Sequence, residues 1–290
     1  MPDPALRTHR HDPRYALSLV LLSLLTLAPG FCQAQERAFP YELDAHDKLL
    51  VPAGLASTGL GFYLLSRGDP ITLAEITALD RSSVNGFDRR ATHNWAPEWE
   101  QRADVSKNVI LAASVLLSGA PLALASEWTN TVTVGTIFLE TFTLVLGVTN
   151  TTKALAGRRR PFAYNTAFTP EERYELAGPD HASVNRSFIS GHTSMAFAAA
   201  VLMSTVYADT HGPTTMSKVV WASSLSLAAF TGYARVAAGV HFPTDVIVGA
   251  AVGAAIGYWI PSLHRVGSDQ RVSVSAGPGS VQFRIGVGSG

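Results

Sequence analysis

Long runs of uncharged, mostly apolar residues recur along this chain, and they restrict the folds open to it. None of the runs alternates strictly between apolar and polar residues, so they predict helices rather than the strands of a barrel. Each has roughly 16–25 residues, close to the 20 or so that a helix needs to cross a bilayer. The runs occupy residues 49–66, 108–126, 128–152, 187–208, 219–234 and 246–263, and Glu140 is the one charged residue within them.

The composition favours a membrane protein. Only 15% of the residues are charged, where about 25% is usual for a soluble domain, and 47% are hydrophobic. The 22 basic residues are balanced by 22 acidic ones, which excludes the basic excess of a nucleic-acid-binding protein. We therefore predict an all-α fold, a six-helix membrane bundle. A soluble all-helical core is the alternative, because the many small residues in these runs suit close helix packing in either setting.

The two ends of the chain differ from the helical part. Residues 1–34 have the pattern of a signal peptide: arginines, an apolar core over residues 16–27, and small residues before a cleavage position after Ala34. Residues 35–264 are then expected to form the membrane domain. Residues 265–290 form a C-terminal tail. From Arg271 onward the tail alternates in polarity on either side of Gly277-Pro278-Gly279, which predicts a short β-hairpin or tail.

The first cluster of polar residues lies where the third run ends. Lys153 and Arg160 are seven residues apart, or about two helical turns, so both face one side if the helix continues. A cationic cluster at the membrane edge is the alternative interpretation.

The second cluster begins the fourth run. Ser190 is a natural N-cap, and Gly191 lets a ligand approach the backbone closely. The free amides of the first turn, together with the helix dipole, make an anion site, and His192 would stand beside that anion. A capped helix start with an incidental histidine is the alternative.

The third cluster joins the fifth and sixth runs. Arg235 ends the fifth helix, and Pro243 suits the first position of the sixth, which places Asp245 in its first turn. From there the Asp245 carboxylate can hold one ring nitrogen of His241 and leave the other free to react. A helix-capping aspartate beside a loop histidine is the alternative.

The functional interpretation of the three clusters is stronger when their positions are considered together. In an up-and-down bundle, the ends of the third and fifth helices and the starts of the fourth and sixth all lie on one face. Three cations and a ring of amides describe a phosphoryl site, and a His–Asp pair plus a second histidine describes phosphoryl transfer through a covalent intermediate. The sequence shows no Walker loop and no Asp/Glu cluster for a metal, so we expect the cations to take the part that Mg²⁺ plays elsewhere.

These residues resemble the motifs of the type 2 phosphatidic acid phosphatase superfamily: K-x6-RP, PSGH and SR-x5-H-x3-D. The first motif is complete, from Lys153 to Arg160-Pro161. The second has Ile189 in place of its proline, and the third has Ala234 in place of its serine. The match spans residues 153–245, and the six-helix layout extends it to about 49–263.

The resemblance implies a role for each matched residue. His241 is similar to the nucleophile that forms a phosphohistidine, Asp245 to its orienting partner, and His192 to the acid that protonates the leaving group. The phosphate cradle implied by the motifs consists of Lys153, Arg160, Ser190, Gly191 and Arg235. Arg158 and Arg159 either join the cradle or meet lipid headgroups, and contact with headgroups is the expected role. The intramembrane Glu140 is expected to pack against a polar neighbour in the bundle.

The expected function is a membrane-bound, metal-independent phosphatase without cofactors, acting on a lipid phosphate such as phosphatidic acid, phosphatidylglycerol phosphate, an isoprenyl diphosphate or lipid A. A soluble periplasmic acid phosphatase, a vanadate-dependent haloperoxidase and a non-catalytic lipid-binding or transport protein are the alternatives. The expected partners are the lipid substrate and the bilayer, with no nucleic acid, and the oligomeric state is left open. The resemblance implies an inner-membrane protein whose site faces the periplasm, although six spans after a cleaved signal would place it in the cytoplasm.

Overall fold

The computed structural model describes residues 38–266 and, for the backbone alone, residues 272–277 and 280–285. The predicted signal peptide lies outside these residues. Within them, six helices have 20 or more residues: α1 Asp47–Ser66, α2 Glu98–Ser118, α3 Trp128–Ala156, α4 Gly191–His211, α5 Thr215–Ala237 and α6 Pro243–Leu263. Shorter helices are Leu73–Thr77, Ala120–Leu124 and Pro170–Glu175, and Val272–Gly277 pairs with Ser280–Ile285 as antiparallel strands β1 and β2.

Three of the long helices are both long and apolar enough to cross a membrane: α1, the helix that begins at Trp128, and α6. Their apolar side chains point outward as well as inward. On α1, Leu55 and Leu60 are each 52% exposed, and on α6 Ile247 is 56% exposed. Such exposure suits a lipid-facing surface, because lipid chains solvate these side chains and water does not.

The second long helix begins earlier than the apolar run predicts. The run starts at Asn108, but α2 starts at Glu98, after the helix-compatible Pro97. The additional turns carry Glu100 and Asp104, which are polar because they face a charged site rather than the core. Hydropathy alone therefore places this boundary ten residues too late.

The helices form one packed bundle. Helix α1 lies along α3, while α4 contacts α2, α5 and α6. Buried apolar side chains of α3, α4 and α6 make the central core, and its members are Ile137, Val145, Ala198, Leu202, Val206, Ile256 and Ile260. At one end of the bundle, called here the site end, α3 and α5 end and α4 and α6 begin.

Small residues set the distance between α4 and α6. A Cβ atom added at Gly253 would collide with the backbone carbonyl of Ser194. The same close contact repeats one turn away in each direction, at Gly249 against Ser190 and at Gly257 against Ala198. Stripes of small residues of this kind bring helix backbones together where hydrophobic driving force between helices is weak, as it is in lipid.

Candidate active site

The eight residues predicted for the site lie together at the site end. They are Lys153, Arg160, Ser190, Gly191, His192, Arg235, His241 and Asp245. The main-chain N–H of Ser190 donates to the carbonyl of Asp245 at 3.0 Å, so the starts of α4 and α6 are joined directly.

Lys153 and Arg160 reach the site by different routes. Helix α3 ends at Ala156, and Gly157 takes a left-handed conformation with φ of 53°, which glycine adopts without a steric penalty. The spacing suggested that the two cations share one continuing helix, but the helix ends between them. Lys153 points from the last turn of α3, whereas Arg160 lies in the following extended segment, where its N–H donates to the carbonyl of Val184 at 2.9 Å.

The start of α4 has the features of an anion site. The N–H groups of its first turn have no acceptor within the helix, and the helix dipole adds positive potential there. A Cβ at Gly191 would lie 3.3 Å from Lys153 Nζ, so the missing side chain lets the ammonium approach these amides. Ser190 occupies the predicted N-cap position, but its hydroxyl makes no cap bond and instead pairs with Thr193 Oγ1 at 2.9 Å.

His241 is held as a neutral imidazole with a defined tautomer. Its Nδ1 lies 2.7 Å from the carbonyl oxygen of Ser187. A carbonyl can only accept a hydrogen bond, so Nδ1 carries the proton and Nε2 presents its lone pair. Burial, followed by the positive charges of Arg235 and Lys153, keeps the pKa of His241 well below its usual value. Nucleophilic attack requires this neutral form.

Asp245 orients His241 less directly than the sequence suggested. Its Oδ2 lies 3.7 Å from His241 Nδ1, farther than the Ser187 carbonyl. The same oxygen accepts from Ser187 Oγ at 2.6 Å and from the N–H of Phe242 at 2.8 Å. Asp245 therefore holds Ser187, whose carbonyl accepts the hydrogen bond from His241 Nδ1, and the backbone next to His241.

A second buried carboxylate, Asp88, lies beside the site and was not predicted from the sequence. The Arg158 guanidinium bridges Asp88, at 2.8 Å, and Asp245, so the expectation that Arg158 meets lipid headgroups is wrong. Although burial acts in the opposite direction, hydrogen bonds from Thr244 and Arg158 lower the pKa of Asp88. No local pattern reveals this pair, because the two residues are 70 positions apart.

Two carboxylates of α2 also reach the site. Glu100 Oε1 lies 3.2 Å from Arg235 Nη1, and Asp104 Oδ1 lies 2.6 Å from His192 Nε2. Burial raises the pKa of Asp104, but the hydrogen bond with His192 and the positive charges of His192, Lys107 and Arg235 together outweigh burial, and the pKa is lowered. Glu100 and Asp104 are four residues apart and so share one helix face, a spacing that could have identified them.

The cradle retains donors for a ligand. Among the described residues, the buried Nε atoms of Arg160 and Arg235 have no hydrogen-bond acceptor. Buried guanidinium donors are rarely left in this state, because the unmet bond is costly. Together with Lys153 and the amides of α4, they fit an oxyanion with several acceptor oxygens, of which phosphate is the best match.

Comparison with known proteins agrees with this chemistry. Residues 134–267, which include all eight predicted site residues, match the family model of the PAP2 superfamily. Over 90 residues the chain is 39% identical to the lipid A 1-phosphatase of Porphyromonas gingivalis, a match that covers 29% of this chain and only 18% of that relative. No solved structure matches the chain significantly. The resemblance to the type 2 phosphatidic acid phosphatase superfamily is thus confirmed over residues 134–267.

Proposed function

We propose that this protein is a membrane-bound lipid phosphate phosphatase that works through a phosphohistidine on His241. The observation that carries the proposal is the state of His241. It is a buried, neutral imidazole with its proton fixed on Nδ1, next to three cations that include the unpaired Nε donors of Arg160 and Arg235. A nucleophile beside an unfilled oxyanion cradle is the arrangement that phosphoryl transfer needs.

The proposed reaction has two steps. In the first, His241 Nε2 attacks the phosphorus, the bond to the leaving oxygen breaks, and His192 gives that oxygen a proton. In the second, His192 takes a proton from water, whose oxygen attacks the phosphorus and breaks the bond to Nε2. Lys153, Arg160 and Arg235 balance the charge that spreads over the phosphoryl oxygens, so the steps are written without a metal ion.

The membrane part of the proposal rests on the three apolar helices. Their exposed side chains suit contact with lipid tails, while the site end offers the polar cradle for a phosphorylated headgroup. We include a six-helix membrane arrangement and a periplasmic site in the proposal. The name of the P. gingivalis relative makes a lipid A type of phosphate the first substrate to test, before phosphatidic acid, phosphatidylglycerol phosphate and an isoprenyl diphosphate.

The test is phosphate release by the detergent-purified protein in EDTA, on this lipid panel and on a small soluble phosphate ester. We expect one lipid to be hydrolysed far faster than the soluble ester, and His241→Ala to abolish release. The matched control is His93→Ala, because His93 is exposed and should leave the rate unchanged. Release from the soluble ester alone would favour the acid phosphatase alternative, and an active His241→Ala variant would refute the mechanism.

A further inference from the structure

A second cluster of ionisable side chains lies far from the site end. It consists of Asp47 in the first turn of α1, Glu140 in the middle of α3 and His264 just after α6. Asp245 and His264 are 19 residues apart, about 28 Å along a helix, so this cluster takes no part in the phosphate site. The polar neighbour expected for Glu140 is His264, whose Nε2 lies 3.3 Å from Glu140 Oε2.

The hydrogen bonds of His264 determine what its second nitrogen can do. Its Nδ1 lies 2.9 Å from the carbonyl oxygen of Ile260 and must donate, because a carbonyl cannot. Nε2 then faces Asp47 Oδ1 at 2.6 Å and Glu140 Oε2 at 3.3 Å. A bare lone pair facing two carboxylates would be repelled, so Nε2 carries either a proton or a metal ion. A backbone carbonyl on the other nitrogen is the usual support of a metal-binding histidine.

The surroundings of Glu140 favour a metal ion over a proton on His264 Nε2. The residue is 1% exposed, and within the described part of the chain neither of its carboxylate oxygens accepts a hydrogen bond. Even with a protonated His264, two ionised carboxylates leave one negative charge in a nearly dry interior, which is costly unless Glu140 is itself protonated. A divalent ion with a neutral imidazole brings the same three residues to zero net charge.

We propose that Asp47, Glu140 and His264 bind a divalent transition-metal ion such as Zn²⁺ or Mn²⁺. One imidazole nitrogen and two carboxylates are ligands that these ions accept, and the three ligand atoms lie within 4.8 Å of one another. Ligands about 2.1 Å from a tetrahedral ion are roughly 3.4 Å apart, so small side-chain rotations form the site. The sequence predicts no Asp/Glu cluster for a metal, and the fold brings these three residues together from positions distant in sequence.

The ion would have a structural purpose. Its three ligands come from α1, α3 and the end of α6, which are the three helices apolar enough to cross a membrane. The ion would hold these helices together far from the phosphate site. Its removal should therefore destabilise the bundle without changing the phosphoryl chemistry at the site end.

The experiment uses the full-length protein in detergent, with any affinity tag removed and bound metal stripped by EDTA. Zn²⁺ is returned, excess is dialysed away, and retained metal is counted by mass spectrometry while thermal unfolding is followed. We expect one Zn²⁺ per chain and a higher unfolding temperature. Glu140→Gln and His264→Gln should each bind at least about tenfold more weakly, whereas Glu42→Gln, an exposed carboxylate at the same end, should bind like wild type.

Co²⁺ bound to the wild-type protein gives a second readout that does not depend on the variants folding. Visible absorption bands of low-coordinate Co²⁺, displaced by Zn²⁺, would support the site. The proposal is overturned if wild type retains no Zn²⁺ and shows no such bands, since the cluster is then a closed His–carboxylate triad. It is also overturned if both substitutions leave Zn²⁺ binding unchanged.

Discussion

The contact between Asp104 and His192 leads to the most informative prediction. Asp104 Oδ1 lies 2.6 Å from His192 Nε2, and a carboxylate at that distance favours the charged imidazolium. Burial and the positive charge of Arg235 lower the pKa of His192 to about 4, and the hydrogen bond with Asp104 acts in the opposite direction. If His192 is the acid that protonates the leaving group, Asp104 is a positioning residue that helps it hold its proton. Asp104→Asn preserves the shape of the side chain and removes its charge.

The size of the expected shift in the pH profile depends on how exposed the Asp104 and His192 side chains are. A hydrogen bond to a charged group contributes about 1.5–3 kcal/mol. The Asp104 side chain is 52% exposed and that of His192 28% exposed, so solvent screening places this pair at the low end, about 1.5 kcal/mol. That energy corresponds to about one pH unit. Loss of the carboxylate makes the imidazolium release its proton more readily, so the alkaline limb of the kcat profile should move down by about one unit.

The assay measures kcat against pH at saturating lipid phosphate for wild type, Asp104→Asn and Asp104→Glu. The plateau at lower pH should be nearly unchanged for all three, and Asp104→Glu should recover much of the shift. Glu98→Gln on the same helix is the control, because Glu98 is exposed and should leave the limb in place. An Asp104→Asn enzyme whose alkaline limb coincides with that of wild type would refute the reasoning.

Two further predictions concern stability. Asp88→Asn removes one partner of the buried Arg158 pair and should lower the free energy of unfolding by about 3 kcal/mol at pH 7. Because the pKa of Asp88 is lowered in the folded state, this difference should be complete above about pH 4 and shrink below it; a constant difference down to pH 3 would contradict the assignment. Gly253→Ala places a Cβ against the Ser194 carbonyl and should cost about 2 kcal/mol, as thermal unfolding in detergent can measure. Gly59→Ala, with open space around its Cβ, should instead gain up to about 1 kcal/mol, and equal effects at the two glycines would show that the helix contact is not tight.

Local sequence rules predicted the parts of the site that depend on neighbouring residues. Pro243 is the first residue of α6 and Asp245 lies in its first turn, both as expected from the preference of proline for that position. Ser190 immediately precedes α4, which is the expected N-cap position, although its hydroxyl makes no cap bond. These features follow from backbone geometry over three or four residues, which a sequence displays directly.

The parts that were missed depend on distant contacts. The ion pair of Arg158 with Asp88 and the approach of Glu100 to Arg235 join elements that only the folded bundle brings together. The first turns of α2 were also not predicted. They contain charged residues, whereas a membrane helix is predicted from an apolar run. Asp104 was missed for the same reason.

The close backbone contact between α4 and α6 has a consequence for the protein in different membranes. Bilayers differ in thickness, and helices adapt to the difference by tilting. Helices packed at Gly253 and joined by the Ser190 N–H to the Asp245 carbonyl tilt as one body, so His192 and His241 should keep their separation. We therefore expect turnover to depend on the headgroup of the substrate far more than on the acyl-chain length of the surrounding lipids.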